Sequence, residues 1–181
     1  MPPPLTVSFV AGPHGTWRIE SIAAVTGDSL ADAEHLTICE GEAPPFSGAW
    51  TLRGFTSNTR YSQRQEVDAL VASQAPLKRS QATRAALIPI RKTPAWWDLA
   101  QDERRAVFEE QSRHIKIGLD YLPAVARRLH HSRELGEPFD FLTWFEYAPE
   151  HAPAFEEMVR RLRDTPEWRY VDREVDIRLW R

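Results

Sequence analysis

Residues 168–180 narrow the choice of fold more than any other stretch. Val171, Val175, Ile177 and Leu179 fall on one parity with Arg173, and Asp172, Glu174, Asp176 and Arg178 fall on the other. Successive side chains of a strand point to opposite faces, so the alternation predicts a half-buried antiparallel strand with one wet face. Five further segments alternate or concentrate β-formers: 16–25, 49–57, 82–91, 124–133 and 139–148. Between strands, helical spacing predicts helices over 62–74, 102–114 and 150–163. In the last of these Phe155, Met158, Val159 and Leu162 form a core stripe, not a cofactor box. The ELGEP segment at 134–138 has hairpin chemistry, and Pro44-Pro45 with Gly41 and Gly48 predict a loop before Trp50. Strand, helix and strand recur in each half, with the helices kept to one face of an antiparallel sheet. The expectation is an α+β fold of ferredoxin-like units joined into a sheet or open barrel.

A chain of 181 residues is the size of one ordinary domain, and its 42% hydrophobic content is enough for a real core. The net charge of -3 with interspersed acids and bases leaves no long basic face, which sets nucleic-acid partners aside. No run of roughly 20 apolar residues would span a membrane, and the start MPPPLTVSFVAGPHG lacks the pattern of a signal peptide. The expectation is a soluble, cytoplasmic protein with no membrane partner. Cys39 is the only cysteine, so there is no internal disulfide, no cysteine-based zinc or iron–sulfur site and no CxxCH for covalent haem. Any haem must be held non-covalently.

Of six histidines, His14 and His35 lie in loop-like contexts, His130 and His131 sit side by side on an expected strand, and His151 is in the first turn of a helix. His114 differs, because it ends the amphipathic DERRAVFEEQSRH and precedes IKIGLDYLP, an apolar segment that Gly118 and Pro123 should break. Taken alone, such a histidine reads as a satisfied structural residue. Were residues 114–127 one helix, His114 and Arg127 would lie about 20 Å apart, too far to meet one small ligand. A broken connection of the same length could pass round a flat cofactor and bring the two together.

The segments ALIPIRKTPAWW, DERRAVFEEQSRHIKIGLDYLPAVARRLHHSRELGEPFDFLTWFEYAPEHAPAFEEMVRRL and EWRYVDREVDIRLW together resemble the chlorite dismutases, in particular their short-chain, dimeric lineage. The likeness covers residues 50–181; the first 45 or so match only in size and pattern. It implies a single domain over 1–181, with 1–80 a trimmed N-terminal ferredoxin-like half and 81–181 the haem-binding half, in a dimeric α+β barrel. It also implies haem b as cofactor, a homodimer, and chlorite decomposed to chloride and dioxygen through a ferryl intermediate and transient hypochlorite.

Carried over residue by residue, the resemblance makes His114 the proximal ligand and metal-binding residue, with Glu167 accepting its other ring N–H. Read without the family, Glu167 is an ordinary strand-edge acid before Trp168. Arg127 takes the place of the distal catalytic arginine, and Arg128, pointing to the other face, becomes a surface charge. Lys92, Trp96 and Trp97 match the segment at the haem edge, where a cation and an indole N–H can meet propionates. Asn58, Arg60 and Tyr61 would do the same on the adjoining strand end, and Gln74 looks like the glutamine placed near the distal arginine. Guanidinium chemistry narrows the role of Arg127: it cannot act as a base at neutral pH, so it is a fixed positive clamp on an anion.

Two alternatives stay open. A coprohaem decarboxylase shares the fold and proximal histidine but has a glutamine where this chain has Arg127, and it needs a propionate-edge tyrosine, for which Tyr61 and Tyr121 are candidates. A non-catalytic module that senses haem, or binds no cofactor, would also use this fold.

Overall fold

The computed structural model describes residues 4–41, 43–44, 46–56, 64–65, 68 and 76–181. Eight antiparallel strands close into a barrel in the order β1-β3-β2-β8-β5-β7-β6-β4. They are β1 (Thr6–Gly12), β2 (Trp17–Thr26), β3 (His35–Glu40), β4 (Trp50–Thr56), β5 (Arg84–Lys92), β6 (Val125–His131), β7 (Phe141–Tyr147) and β8 (Val171–Trp180). Closure removes the free edges that an open sheet would leave. The expected α+β class with an antiparallel sheet therefore holds, and of the two forms anticipated the barrel is closed.

Six expected strands correspond to β2, β4, β5, β6, β7 and β8. Neither β1 nor β3 was anticipated, for opposite reasons. In β1, every residue from Val7 to Gly12 is buried, so the strand has no alternation to read; β3 is only six residues long. The hairpin at 134–138 is found as a short 3-10 turn, Arg133–Leu135, closed by Gly136 at φ 69°.

The helices are α1 (Pro94–Asp98), α2 (Gln101–Arg105), α3 (His114–Asp120) and α4 (Ala152–Arg163), with a π-helix over Ala106–Gln111 and a 3-10 turn over Pro166–Tyr170. Residues 64, 65 and 68 are helical, and the rest of the helix expected over 62–74 lies outside the described residues. Gly118, expected to break the apolar segment, instead lies inside α3; the break comes after Asp120, ahead of the cis Leu122–Pro123 bond.

Two cores result from strands that bury both faces. Val7, Phe9, Leu36, Leu87, Trp144 and Ile177 fill the barrel, while Ala86, Ile88, Phe145, Phe155, Met158 and Leu162 pack between the sheet and the C-terminal helices. In β5 adjacent residues alternate between these cores, which explains the unbroken apolar run ALIPI. The stripe on α4 is core, as its spacing implied.

Two expectations about polar faces change. The second face of β8 is not wet: α4 covers it, with Glu174 0% and Asp176 7% exposed. Their charges are met by Arg163, whose Nη2 lies 2.7 Å from Glu174 and 2.8 Å from Asp176, and by Arg178. Arg128 does point away from Arg127, but that direction is the barrel interior, not solvent. Its Nη1 pairs with Glu40 at 3.1 Å and its Nε donates to His130 Nε2 at 2.9 Å. Burial, aided by the Arg128 charge, brings the His130 pKa down to about 4, so the neutral ring accepts from Arg128 while its Nδ1–H donates to the Leu142 carbonyl at 3.0 Å.

Candidate active site

A pocket of about 990 Å³, open mouth included, lies between the outer face of β5, β6 and β7 and the C-terminal helices. Its walls are mostly apolar, with Ile88, Ile90, Phe141, Phe145, Val159 and Leu162 contributing. His114, Arg127, Glu167, Lys92 and Trp96 also line it, so the structure brings these five expected residues together. Among the described residues, every lining residue falls between 88 and 174.

His114 does not end a helix; it begins one. The stretch expected as a helix over 102–114 divides into α2, the π-helix and an elbow at Ser112–Arg113. Arg113 is left-handed at φ 52°, a conformation that costs a non-glycine residue of order 1 kcal/mol and turns the chain into α3 with His114 as its first residue. Glu109 offsets part of that cost, since its Oε2 accepts the backbone N–H of Ile115 at 2.8 Å, a group that a helix start leaves unsatisfied. Within the elbow, the buried Ser112 hydroxyl accepts the backbone N–H of Glu167 at 2.9 Å, tying the turn that carries the acid to the turn that carries the imidazole.

The His114 Nδ1 lies 2.7 Å from Glu167 Oε2. With the carboxylate accepting, the proton belongs on Nδ1, and Nε2 keeps its lone pair. The ring is held flat by Phe108, centroids 4.6 Å apart, and by Trp168 at 6.3 Å. Trp168 is itself fixed, its Nε1–H donating to Glu174 at 2.8 Å. Glu167 sits on the 3-10 turn ahead of β8, not on a strand edge, and is 3% exposed.

Lys92 was expected at a cofactor edge, but its ammonium is 2.7 Å from Glu167 Oε1 and the residue is 3% exposed. The reason is local: Lys92 shares the parity of Ile88 and Ile90 in β5, so strand alternation turns it into the same pocket. Its Nζ also stands 4.1 Å above the Trp96 ring. Burial pushes Lys92 down, with the Glu167 charge opposing. Burial would likewise raise Glu167, but the charges and hydrogen bonds of His114 and Lys92 prevail and hold it at about 2.

The sign of the linkage follows. A carboxyl held below its ordinary 4.5 stabilises the fold above that pH, and the contribution, on the order of 3 kcal/mol at about 1.4 kcal/mol per unit, disappears as pH falls from 4.5 toward 2. Thermal unfolding followed from pH 5 to pH 2 should show Tm falling through that window. Glu167→Gln should flatten this fall. It should also destabilise the protein by roughly 3–5 kcal/mol, because Lys92 is left buried without its counter-charge; Tm within a degree of the parent would contradict the pairing.

Trp96 and Trp97 part company. Trp96 lines the pocket at 1% exposure, and its buried Nε1–H has no hydrogen-bond partner among the described residues. Trp97, expected at the same edge, donates its N–H to Asp140 at 3.3 Å, stacks on Phe141 and lies under the Arg133 guanidinium at 4.0 Å. Asn58, Arg60, Tyr61 and Gln74 lie outside the described residues.

Arg127 reaches the pocket from the face of β6 that also presents Leu129 and His131. It keeps some access to the pocket mouth, yet protein surrounds it closely enough that burial pushes its pKa down. Among the described residues no carboxylate pairs with it. A guanidinium so placed stays protonated and awaits an anion. The residues that sequence reasoning missed are Ser112, Glu109, Phe108 and Trp168. Only the aromatics carried any signal, as large residues flanking His114 and Glu167.

The fold and site define a closed antiparallel α+β barrel whose outer pocket presents a carboxylate-backed imidazole together with a guanidinium that no carboxylate among the described residues compensates. The family model for chlorite dismutase matches residues 40–179. The chain belongs to the chlorite dismutase family. A dimeric chlorite dismutase from Nitrobacter winogradskyi is 59% identical and superposes with a TM-score of 0.91 over 97% of this chain and 99% of that one. A chlorite dismutase from Candidatus Nitrospira defluvii, solved with imidazole, shares the fold at 19% identity and a TM-score of 0.66, over 98% and 91% of the two chains. The chlorite dismutase of Ideonella dechloratans is 34% identical over 86 residues, 48% of this chain but 28% of that protein's length.

Proposed function

We propose that this chain binds one haem b non-covalently in the pocket, with His114 as the residue that would hold its iron, and decomposes chlorite to chloride and dioxygen. The observation that carries the reading is the line Lys92–Glu167–His114 ending in a free imidazole lone pair, in the same pocket as the Arg127 guanidinium, which no carboxylate among the described residues pairs. The pocket suits the cofactor on three counts: mostly apolar walls, an imidazole whose tautomer is fixed, and the orphaned indole N–H of Trp96, available to a carboxylate acceptor.

Bound there, haem would supply the oxygen-atom transfer and O–O bond formation that convert chlorite to chloride and dioxygen by way of hypochlorite. Glu167, kept ionised by Lys92, makes His114 a stronger donor and fixes its orientation. Arg127 draws chlorite in and detains hypochlorite by charge-assisted hydrogen bonds. It moves no proton. In this reading residues 81–181 hold the cofactor, in keeping with a lining that, among the described residues, is drawn from 88–174. The homodimer is proposed by likeness to the dimeric Nitrobacter relative.

The rival decarboxylase reading loses one of its tyrosines, because the Tyr121 hydroxyl accepts from Arg161 at 3.0 Å and does not line the pocket. Protein loaded with haem b and given chlorite should evolve dioxygen in an oxygen electrode. Protein loaded with coprohaem and given peroxide should leave the porphyrin mass unchanged. Decarboxylated porphyrin without dioxygen evolution would overturn the proposal.

A further inference from the structure

The hydrogen bond to Glu167 fixes where the His114 Nδ1 sits, but a single contact leaves the imidazole able to tilt about it. A flat neighbour removes that freedom. Trp168 lies near-parallel to the imidazole, with 23° between the planes and the centroids 6.3 Å apart. It follows Glu167 directly on the same 3-10 turn, so one turn delivers both the acceptor for Nδ1 and a wall for the ring.

A wall orients a ring only if it cannot itself turn, and Trp168 is held at three points. Its backbone N–H donates to the Thr165 carbonyl at 3.1 Å, and the Lys92 ammonium stands 5.7 Å from its ring centroid. The third is Glu174, whose Oε1 accepts the indole Nε1–H at 2.8 Å. Glu174 is fully buried, and a carboxylate at that depth is costly unless its oxygens are used. Its Oε2 accepts from Arg163, with Nε at 2.9 Å and Nη2 at 2.7 Å. That ion pair does not by itself account for the acid, because Arg163 already has Asp176 at 2.8 Å. What Glu174 adds is a charged acceptor aimed from β8 at the turn that carries Glu167.

We propose that Glu174 is a positioning residue for the His114 imidazole: by pinning the Trp168 indole it sets the plane of the ring. The inference rests on reading His114 as the residue that would hold the haem iron. Partners at one remove from a ligand are worth about 10–100-fold in metal affinity.

A double-mutant cycle tests the pin through the rate of haem release from the loaded protein, followed at the Soret band with excess haem-free globin as acceptor. The four proteins are the parent, Glu174→Met, Trp168→Phe and the double variant. Methionine matches glutamate in length and suits a buried site, and phenylalanine keeps an aromatic face without an N–H. Glu174→Met should speed release about tenfold in the parental background and less than about twofold where residue 168 is already phenylalanine. The iron–imidazole stretching band of the reduced protein should shift in either single variant and no further in the double one. If Glu174 serves only to dock α4 on β8, release accelerates equally in both backgrounds and the band stays in place; either result would overturn the proposal. Should Glu174→Met fail to fold, Trp168→Phe carries the test, since it leaves Glu174 with Arg163: an unmoved band there overturns the pin. Hydrogen exchange of the Trp168 indole N–H in the chain without cofactor reads the pin directly. Exchange should be at least about tenfold faster in Glu174→Met, and a parental rate would overturn the proposal whatever His114 binds. The ligand role is judged by His114→Ala alone, so the two failures are told apart.

Discussion

Replacing His114 with alanine should give a folded barrel that no longer takes up haem b with the parental spectrum. The fold should survive because the buried Glu167 keeps Lys92 at 2.7 Å and the backbone N–H tie to Ser112, losing only one of its partners. A hydrogen bond to a charged group is worth about 1.5–3 kcal/mol, so Tm should fall without collapse. Haem binding should suffer far more, since the other histidine of the pocket among the described residues, His131, comes from β6 on the side that carries Arg127 and is stacked on Phe55. Absorption through the Soret region during a haem titration is the check. A parental band and affinity in the alanine variant would remove His114 from the role of ligand.

Arg127→Ala should keep haem, turn chlorite over about one to two orders of magnitude more slowly, and release hypochlorite. The size comes from the contact: about 1.5–3 kcal/mol for a hydrogen bond to a charged group, at about 1.4 kcal/mol per decade of rate. Activity is reduced, not abolished, because the arginine contributes charge and orientation and takes no part in proton transfer. The variant carries a second signature. Since Arg127 is a partly buried cation with no carboxylate partner among the described residues, its removal relieves a desolvation cost, and Tm should stay level or rise. Steady-state oxygen evolution, a chlorination trap and thermal unfolding read the three effects. Unchanged turnover with an empty trap would contradict the clamp.

The strand pattern and the α4 stripe were legible because each alternates between two environments, and alternation is what a linear sequence records. Strand β1 was hidden for the converse reason, being buried on both faces. The wet face expected of β8 shows the limit of the same logic, for Glu174 and Asp176 have the parity of solvent-facing residues but are covered by α4 and neutralised by Arg163 and Arg178. The placing of Lys92 behind Glu167 turns on the 3-10 turn before β8 folding back onto the end of β5, a long-range contact that composition does not encode. Likewise the π-helix and the left-handed Arg113, which aim His114 into the pocket, arise from tertiary constraint and leave no periodic signature. Gly118 was expected to break the chain but lies inside α3, buried beside Arg127.

The most direct measurement counts dioxygen released per chlorite consumed by the haem-loaded protein at neutral pH, with a chlorination trap in the same vessel. A clamp that detains hypochlorite until the O–O bond forms predicts about one dioxygen per chlorite and an unmodified trap, with Arg127→Ala lowering the first and filling the second. Chlorite consumed with little dioxygen and a filled trap in the parent protein would contradict the account.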